Sequence, residues 1–200
     1  MKVAIVGGTG DFGLALARRL VEAGDEVVIG SRDAERAQEK ANEVGAAQGA
    51  ANEEAVSGVD LVVLATKAEA AIATTTDLAE AIGTTPVLSV ASDLRSTDPL
   101  SLAQRTQDVV GGPVVAGLHS LAAGKLAHGR PDEDAFVCGD DPAAKELALT
   151  LAGKLVAGRS LDAGPLAGAR TLEGLTAVIV NLNRRYRAHA GIAVTGIPPA

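Results

Sequence analysis

Gly8-Thr9-Gly10-Asp11-Phe12-Gly13 fits the spacing G-x-G-x-x-G. The hexapeptide follows an apolar run, Lys2–Val6, and opens an amphipathic stretch. In that strand–turn–helix setting each glycine has a separate task. Gly8 permits the tight turn, Gly10 lets backbone approach a diphosphate, and Gly13 lets the helix pack on the strand. The helix start then offers free amides and a partial positive charge to the phosphates. The chemistry this predicts is the binding of a dinucleotide.

The second strand decides which dinucleotide. A site for NAD places Asp or Glu about 20 residues on, to bind the ribose hydroxyls. Here Gly30-Ser31-Arg32 stands at that place, with Arg36 one helical turn further. A hydroxyl and two guanidiniums suit a phosphate, because arginine stays charged and matches phosphate geometry. The expected ligand is therefore NADP, with Ser31, Arg32 and Arg36 around the 2′-phosphate. Asp33 is the residue that speaks against it.

Those residues need a scaffold, and the chain alternates β-rich and helical runs. Strands are expected at Lys2–Val6, Glu26–Gly30, Val59–Thr66, Pro86–Val90, Val114–Leu118, Ala135–Cys138 and Arg159–Asp162. Helices are expected at Asp11–Ala23, Asp33–Val44, Ala70–Ile82, Asp98–Val109 (with Pro99 in its first turn), Pro142–Val156 and Leu166–His189. Gly24 should stop the first helix. The tail from Ile192 to Ala200 is given no regular structure. The fold class is α/β: a Rossmann-type, doubly wound, mainly parallel sheet with a small C-terminal helical domain. Residues 1–163 are expected to form the NADP-binding part, and 164–200 a small helical segment after a boundary near Gly164-Pro165.

Composition narrows the function classes. With 18 basic and 25 acidic residues the net charge is −7, against the basic face that nucleic acid needs. No apolar run reaches the ~18 residues of a membrane helix, and the N-terminus reads as strand and turn. A cytoplasmic location is expected. The single cysteine, Cys138, excludes an internal disulfide and reads as a small buried apolar side chain. His119, His128 and His189 lack ligand spacing, so no metal is expected. His128 and His189 read as surface residues, and the Arg184-Arg185-Tyr186-Arg187 run as a solvated helix end. Aromatic residues are only 2%, so a bound ring would rest on aliphatic side chains and backbone.

Several segments together carry a resemblance. Gly7-Gly8-Thr9-Gly10 with Gly13, Val28-Ile29-Gly30-Ser31-Arg32, Gly117-Leu118-His119-Ser120-Leu121-Ala122-Ala123, Cys138-Gly139-Asp140-Asp141, Leu161-Asp162-Ala163-Gly164-Pro165-Leu166 and Leu172-Glu173-Gly174-Leu175-Thr176 occur in that order. The chain resembles the NADPH-dependent coenzyme F420 reductases. The resemblance implies reversible hydride transfer between carbon five of the reduced deazaflavin and carbon four of the nicotinamide, in a homodimer, with the segment 164–200 closing the cleft and suiting the dimer interface. It implies that Thr9, Gly10, Asp11 and Phe12 lie at the diphosphate turn, with Ser31, Arg32 and Arg36 at the 2′-phosphate. Thr66, Val90 and Ala91 complete the expected cofactor-binding set. His119 and Leu121 fall beside the deazaflavin and Ala123 near the nicotinamide. One segment departs from the pattern. After the third strand, relatives show Pro and an aromatic with His two residues on, whereas this chain has Thr66-Lys67-Ala68-Glu69-Ala70.

Hydride transfer asks little of side chains, because the cofactors carry the chemistry and the protein places them. His119 is the one candidate catalytic residue: it either accepts the deazaflavin's proton or, as preferred, holds the ring by a hydrogen bond. Two other readings compete. An imine reductase of the pyrroline carboxylate type would carry a much longer helical C-terminal half than the 36 residues after Gly164. A non-catalytic NADP(H) sensor would need the nucleotide site alone.

Overall fold

The computed structural model describes residues 1–197; the last three lie outside it. Its elements in chain order are β1 (Lys2–Val6), α1 (Asp11–Glu22), β2 (Glu26–Ser31), α2 (Ala34–Val44), β3 (Gln48–Ala51), α3 (Asn52–Ala55), β4 (Leu61–Leu64), α4 (Ala68–Ile82), β5 (Val87–Ser89), α5 (Leu102–Gln107), β6 (Val114–Gly117), α6 (Ala123–His128), β7 (Ala135–Gly139), α7 (Pro142–Leu155), β8 (Ser160–Asp162) and α8 (Ala169–Tyr186). The eight strands form one sheet in the order β3-β2-β1-β4-β5-β6-β7-β8. Only the β6–β7 pair is antiparallel.

The strands are apolar on both faces because helices cover both. Val3 and Ile5 of β1 join the cluster made with α1, α2 and α7, through Leu16, Leu20, Ala41 and Leu151. Ala4 and Val6 point the other way, into a cluster with Leu78 and Ile82 of α4, Ala103 of α5 and Leu172 of α8. This is the two-residue period of a strand read by two cores. The order turns at β1, with β2 on one side and β4 on the other. Such a switch point is where an open α/β sheet leaves a crevice beyond its strand ends.

Several boundaries move for local reasons. The strand expected at Val59–Thr66 is limited to Leu61–Leu64. The helix expected from Asp98 begins at Leu102, because Ser101 and Gln104 cap it reciprocally and Asp98 is engaged in a turn, its Oδ1 accepting from Leu100 N. The helix expected over Leu166–His189 divides into a 3₁₀ turn, Leu166–Gly168, and α8, which stops where Arg187 turns left-handed. β3, α3 and α6 were not anticipated.

Two polar knots tie the C-terminal part to the sheet. Glu173 of α8 is buried, accepts from Leu102 N at 2.6 Å and pairs with Arg170, whose guanidinium donates to the carbonyls of Asp93 and Ser96. Burial pushes the Glu173 carboxyl up. Asp134 accepts from Val194 N and from Arg159, and the Asp134 amide donates to Ile192 O. The irregular stretch after α8 is thereby clasped to β7.

Candidate functional site

The turn after β1 is built by internal hydrogen bonds. Gly8 N donates to Gly30 O at 3.2 Å, and Gly10 N to Gly7 O at 3.1 Å. The first amide bond into α1 is Leu14 N to Gly10 O at 2.8 Å. The preceding amides of Asp11, Phe12 and Gly13 have no carbonyl within the helix. No side chain caps this end. The two glycines differ in what surrounds them. A Cβ on Gly13 would lie 2.8 Å from Gly7 O and Gly8 Cα, so this glycine serves packing. A Cβ on Gly10 would meet only Gly7 O, at an ordinary 3.5 Å. Its open side faces away from the protein, toward a cavity.

That cavity, about 730 Å³, is lined by Gly7, Thr9 and Gly10 from the turn, Ser31, Arg32, Asp33 and Arg36 from the β2–α2 corner, Asn52, and Ala65, Thr66, Lys67, Ala70 and Thr74 from the β4–α4 side. Neither Arg32 nor Arg36 forms an ion pair among the described residues; both are exposed. Asp33 also lines the cavity but makes no ion pair with either arginine among the described residues. Its Oδ1 accepts from Arg36 N at 3.0 Å as the N-cap of α2, and Ser31 Oγ accepts from the Asp33 amide at 3.2 Å. Two buried oxygens, Thr66 Oγ1 and Asn52 Oδ1, have no hydrogen-bond partner among the described residues. Leaving such atoms unsatisfied costs about 1–3 kcal/mol each. The Asn52 oxygen packs against Gly30, where a Cβ would lie 2.9 Å from it. Open backbone at Gly10 and two exposed guanidiniums without ion pairs at the β2–α2 corner fit an NADP-type dinucleotide.

The expected residues divide between two places. Thr9, Gly10, Ser31, Arg32, Arg36 and Thr66 share the cavity; Gly8 and Gly13 are buried inside the turn beneath it. Phe12 is half-buried against the α1-side core. Val90 and Ala91 follow β5, and His119 and Leu121 follow β6, so all four sit at strand ends further along the sheet. Ala123, at the start of α6, borders a separate cleft of about 390 Å³ with Asp11, Leu14 and Arg18. Asn52 and Thr74 were not anticipated as cavity residues.

His119 is buried, and neither ring nitrogen has a hydrogen-bond partner among the described residues. Burial lowers its pKa to about 4, opposed weakly by the nearby Ala91 backbone. The ring is neutral across the ordinary pH range. Its backbone is fixed from α8: Thr176 Oγ1 donates to His119 O at 2.8 Å and accepts from Ser92 Oγ at 2.7 Å. One hydroxyl thus links the loops after β5 and β6. Cys138 is buried beside them in β7, its thiol pushed up to about 11 by burial. His128 and His189 are exposed.

Residues 2–93 match the family "NADP oxidoreductase coenzyme F420-dependent". The chain is 35% identical to an F420-dependent NADP reductase of Methanothermobacter marburgensis, over 99% of this chain and 100% of that one. It is 34% identical to the F420-dependent NADP reductase of Methanothermobacter thermautotrophicus, over 99% and 96%. The chain belongs to this family. A solved structure of an F420-dependent NADP-reductase candidate from Arthrobacter sp. FB24 superposes with a TM-score of 0.86 at 28% identity, covering 98% of this chain and all of that one. The matched residues 2–93 cover β1 to β5, the strands around which the cavity lies.

Proposed function

We propose that this chain is an NADP-linked oxidoreductase that moves a hydride reversibly between coenzyme F420 and NADP. The observation that carries this reading is the convergence, in one cavity, of an open glycine turn with two unpaired arginines and Ser31. The amides of Asp11 to Gly13 take the diphosphate. Ser31, Arg32 and Arg36 take the 2′-phosphate. Thr66 and Asn52 accept from ligand hydroxyl or amine groups. Val90 and Ala91 lead the dinucleotide toward the β6 end, where His119, Leu121 and Ala123 receive the two rings. Bound there, the cofactors supply the chemistry: the reduced deazaflavin gives a hydride to the oxidised nicotinamide and releases a proton.

The protein's work is placement and exclusion of water. With a pKa near 4, His119 is a poor acceptor for that proton at neutral pH. It holds the deazaflavin by a hydrogen bond through one of its free nitrogens. The segment from Gly164 onward closes the cleft and, through the exposed face of α8, pairs with a second copy. The enzyme is proposed to work in the cytoplasm. No helix among the described residues is long and apolar enough to cross a membrane.

The test is spectroscopic. Purified protein mixed with NADPH and oxidised F420 should bleach the deazaflavin's visible band, with NADH much slower. Binding of NADPH without bleaching would reduce the chain to a nucleotide-binding protein.

A further inference from the structure

The cavity holds a cation that the 2′-phosphate reading does not use. Lys67 lines it and is exposed; its carbonyl accepts from Ala70 N at 3.0 Å, while its Nζ forms no hydrogen bond or ion pair among the described residues. It stands at the N-cap of α4, a helix of 15 residues with no side-chain cap. Lys67, Ala70 and Thr74 fall at i, i+3 and i+7, so one face of α4 looks into the cavity.

Position along the sheet separates Lys67 from the arginines. β2 and β4 flank β1 on opposite sides. Arg32 and Arg36 come from the β2 side. Lys67 comes from the β4 side, where Ala65 N donates to Val6 O at 2.9 Å, and a Cβ on Gly7 would lie 2.9 Å from Ala65 O. The segment carrying Lys67 therefore abuts the glycine turn itself. The turn offers amides and no cation to a bridge that carries one negative charge on each phosphate. Asp11, at the start of α1, adds an acid there.

Resting on the cofactor reading above, we infer that Lys67 is a specificity-independent anchor: it neutralises the diphosphate bridge from the β4 side, while the arginines select the 2′-phosphate from the β2 side. Lysine suits this task as a mobile point charge that needs no bidentate geometry.

Calorimetric titration of the full chain with NADPH and with NADH tests the assignment. The variants are Lys67→Gln, Lys67→Arg and, as a contrast, Arg32→Ala. Loss of one charge-assisted contact predicts that Lys67→Gln weakens both dinucleotides by about tenfold. Lys67→Arg should retain most of the affinity, and Arg32→Ala should weaken NADPH alone. Unchanged affinities in Lys67→Gln, or a loss confined to NADPH, would overturn the inference and leave the cofactor reading standing. Wild-type protein that binds neither dinucleotide would overturn the cofactor reading itself.

Discussion

A buried imidazole with two unpartnered nitrogens sets a measurable pH response. His119 ordinarily titrates near 6.5, but burial holds it at about 4 in the folded chain. Below pH 6.5 the unfolded chain takes up a proton that the folded chain refuses. Stability present above pH 6.5 is therefore lost as pH falls toward 4, by up to about 3 kcal/mol. Asp134 acts in a lower window. Its partner Arg159 holds the carboxyl at about 2, below the usual 3.8, so its contribution persists above pH 3.8 and fades as pH falls toward 2. Urea unfolding at a series of pH values should show the upper slope in the wild type and a flatter curve in His119→Gln between pH 6.5 and 4. An identical slope in both would remove His119 as its cause. A bound deazaflavin that satisfies the ring nitrogens should also shift this response.

The turn between β1 and α1 makes two glycines separable. Gly13→Ala drives a methyl into the backbone of Gly7 and Gly8 and should cost roughly 1–3 kcal/mol of stability. Gly10→Ala meets no protein atom closer than 3.5 Å. It should keep the wild-type melting midpoint while losing dinucleotide affinity by tenfold or more, about 1.4 kcal/mol. Equal effects of the two on melting would contradict the geometry. This element was legible in the sequence because its function is local: six consecutive residues contain both the turn and the helix start. β1 and β2 were legible from their continuous apolar runs. β3 was not, since Gln-Gly-Ala-Ala contains no β-branched residue. Its place is set by close packing instead: a Cβ on Gly49 would lie 2.2 Å from the Ala37 backbone of α2. Asn52 and Thr74 stayed hidden for a different reason. They reach the cavity because parallel pairing sets β4 beside β1 and β3 beside β2, so the elements that follow these strands gather at one edge of the sheet, and chain spacing does not encode that. The start of α5 was missed because Pro99 suggested a first turn, while the Ser101–Gln104 capping box outweighed it.

At the scale of the whole molecule, α8 is the element with unfinished business. Its Leu172 and Ile179 are buried against the sheet, while Val178, Leu182 and Tyr186 are 50%, 38% and 71% exposed. The last three repeat at four-residue spacing along one face. A second copy covering that face would complete the burial begun by Leu172. Sedimentation should therefore find a dimer, and Leu182→Glu should shift it to monomer while leaving the fold intact; a monomeric wild type would reject the pairing. The aromatic poverty of the chain gives this helix an optical use. With no tryptophan and one tyrosine in the sequence, tyrosine emission arises from a single ring, Tyr186, at the exposed tip of α8. Quenching by iodide or a change in its anisotropy reads the environment of that helix end and nothing else. The protein thus carries a native reporter for testing the proposed pairing, spectrally apart from the reduced nicotinamide.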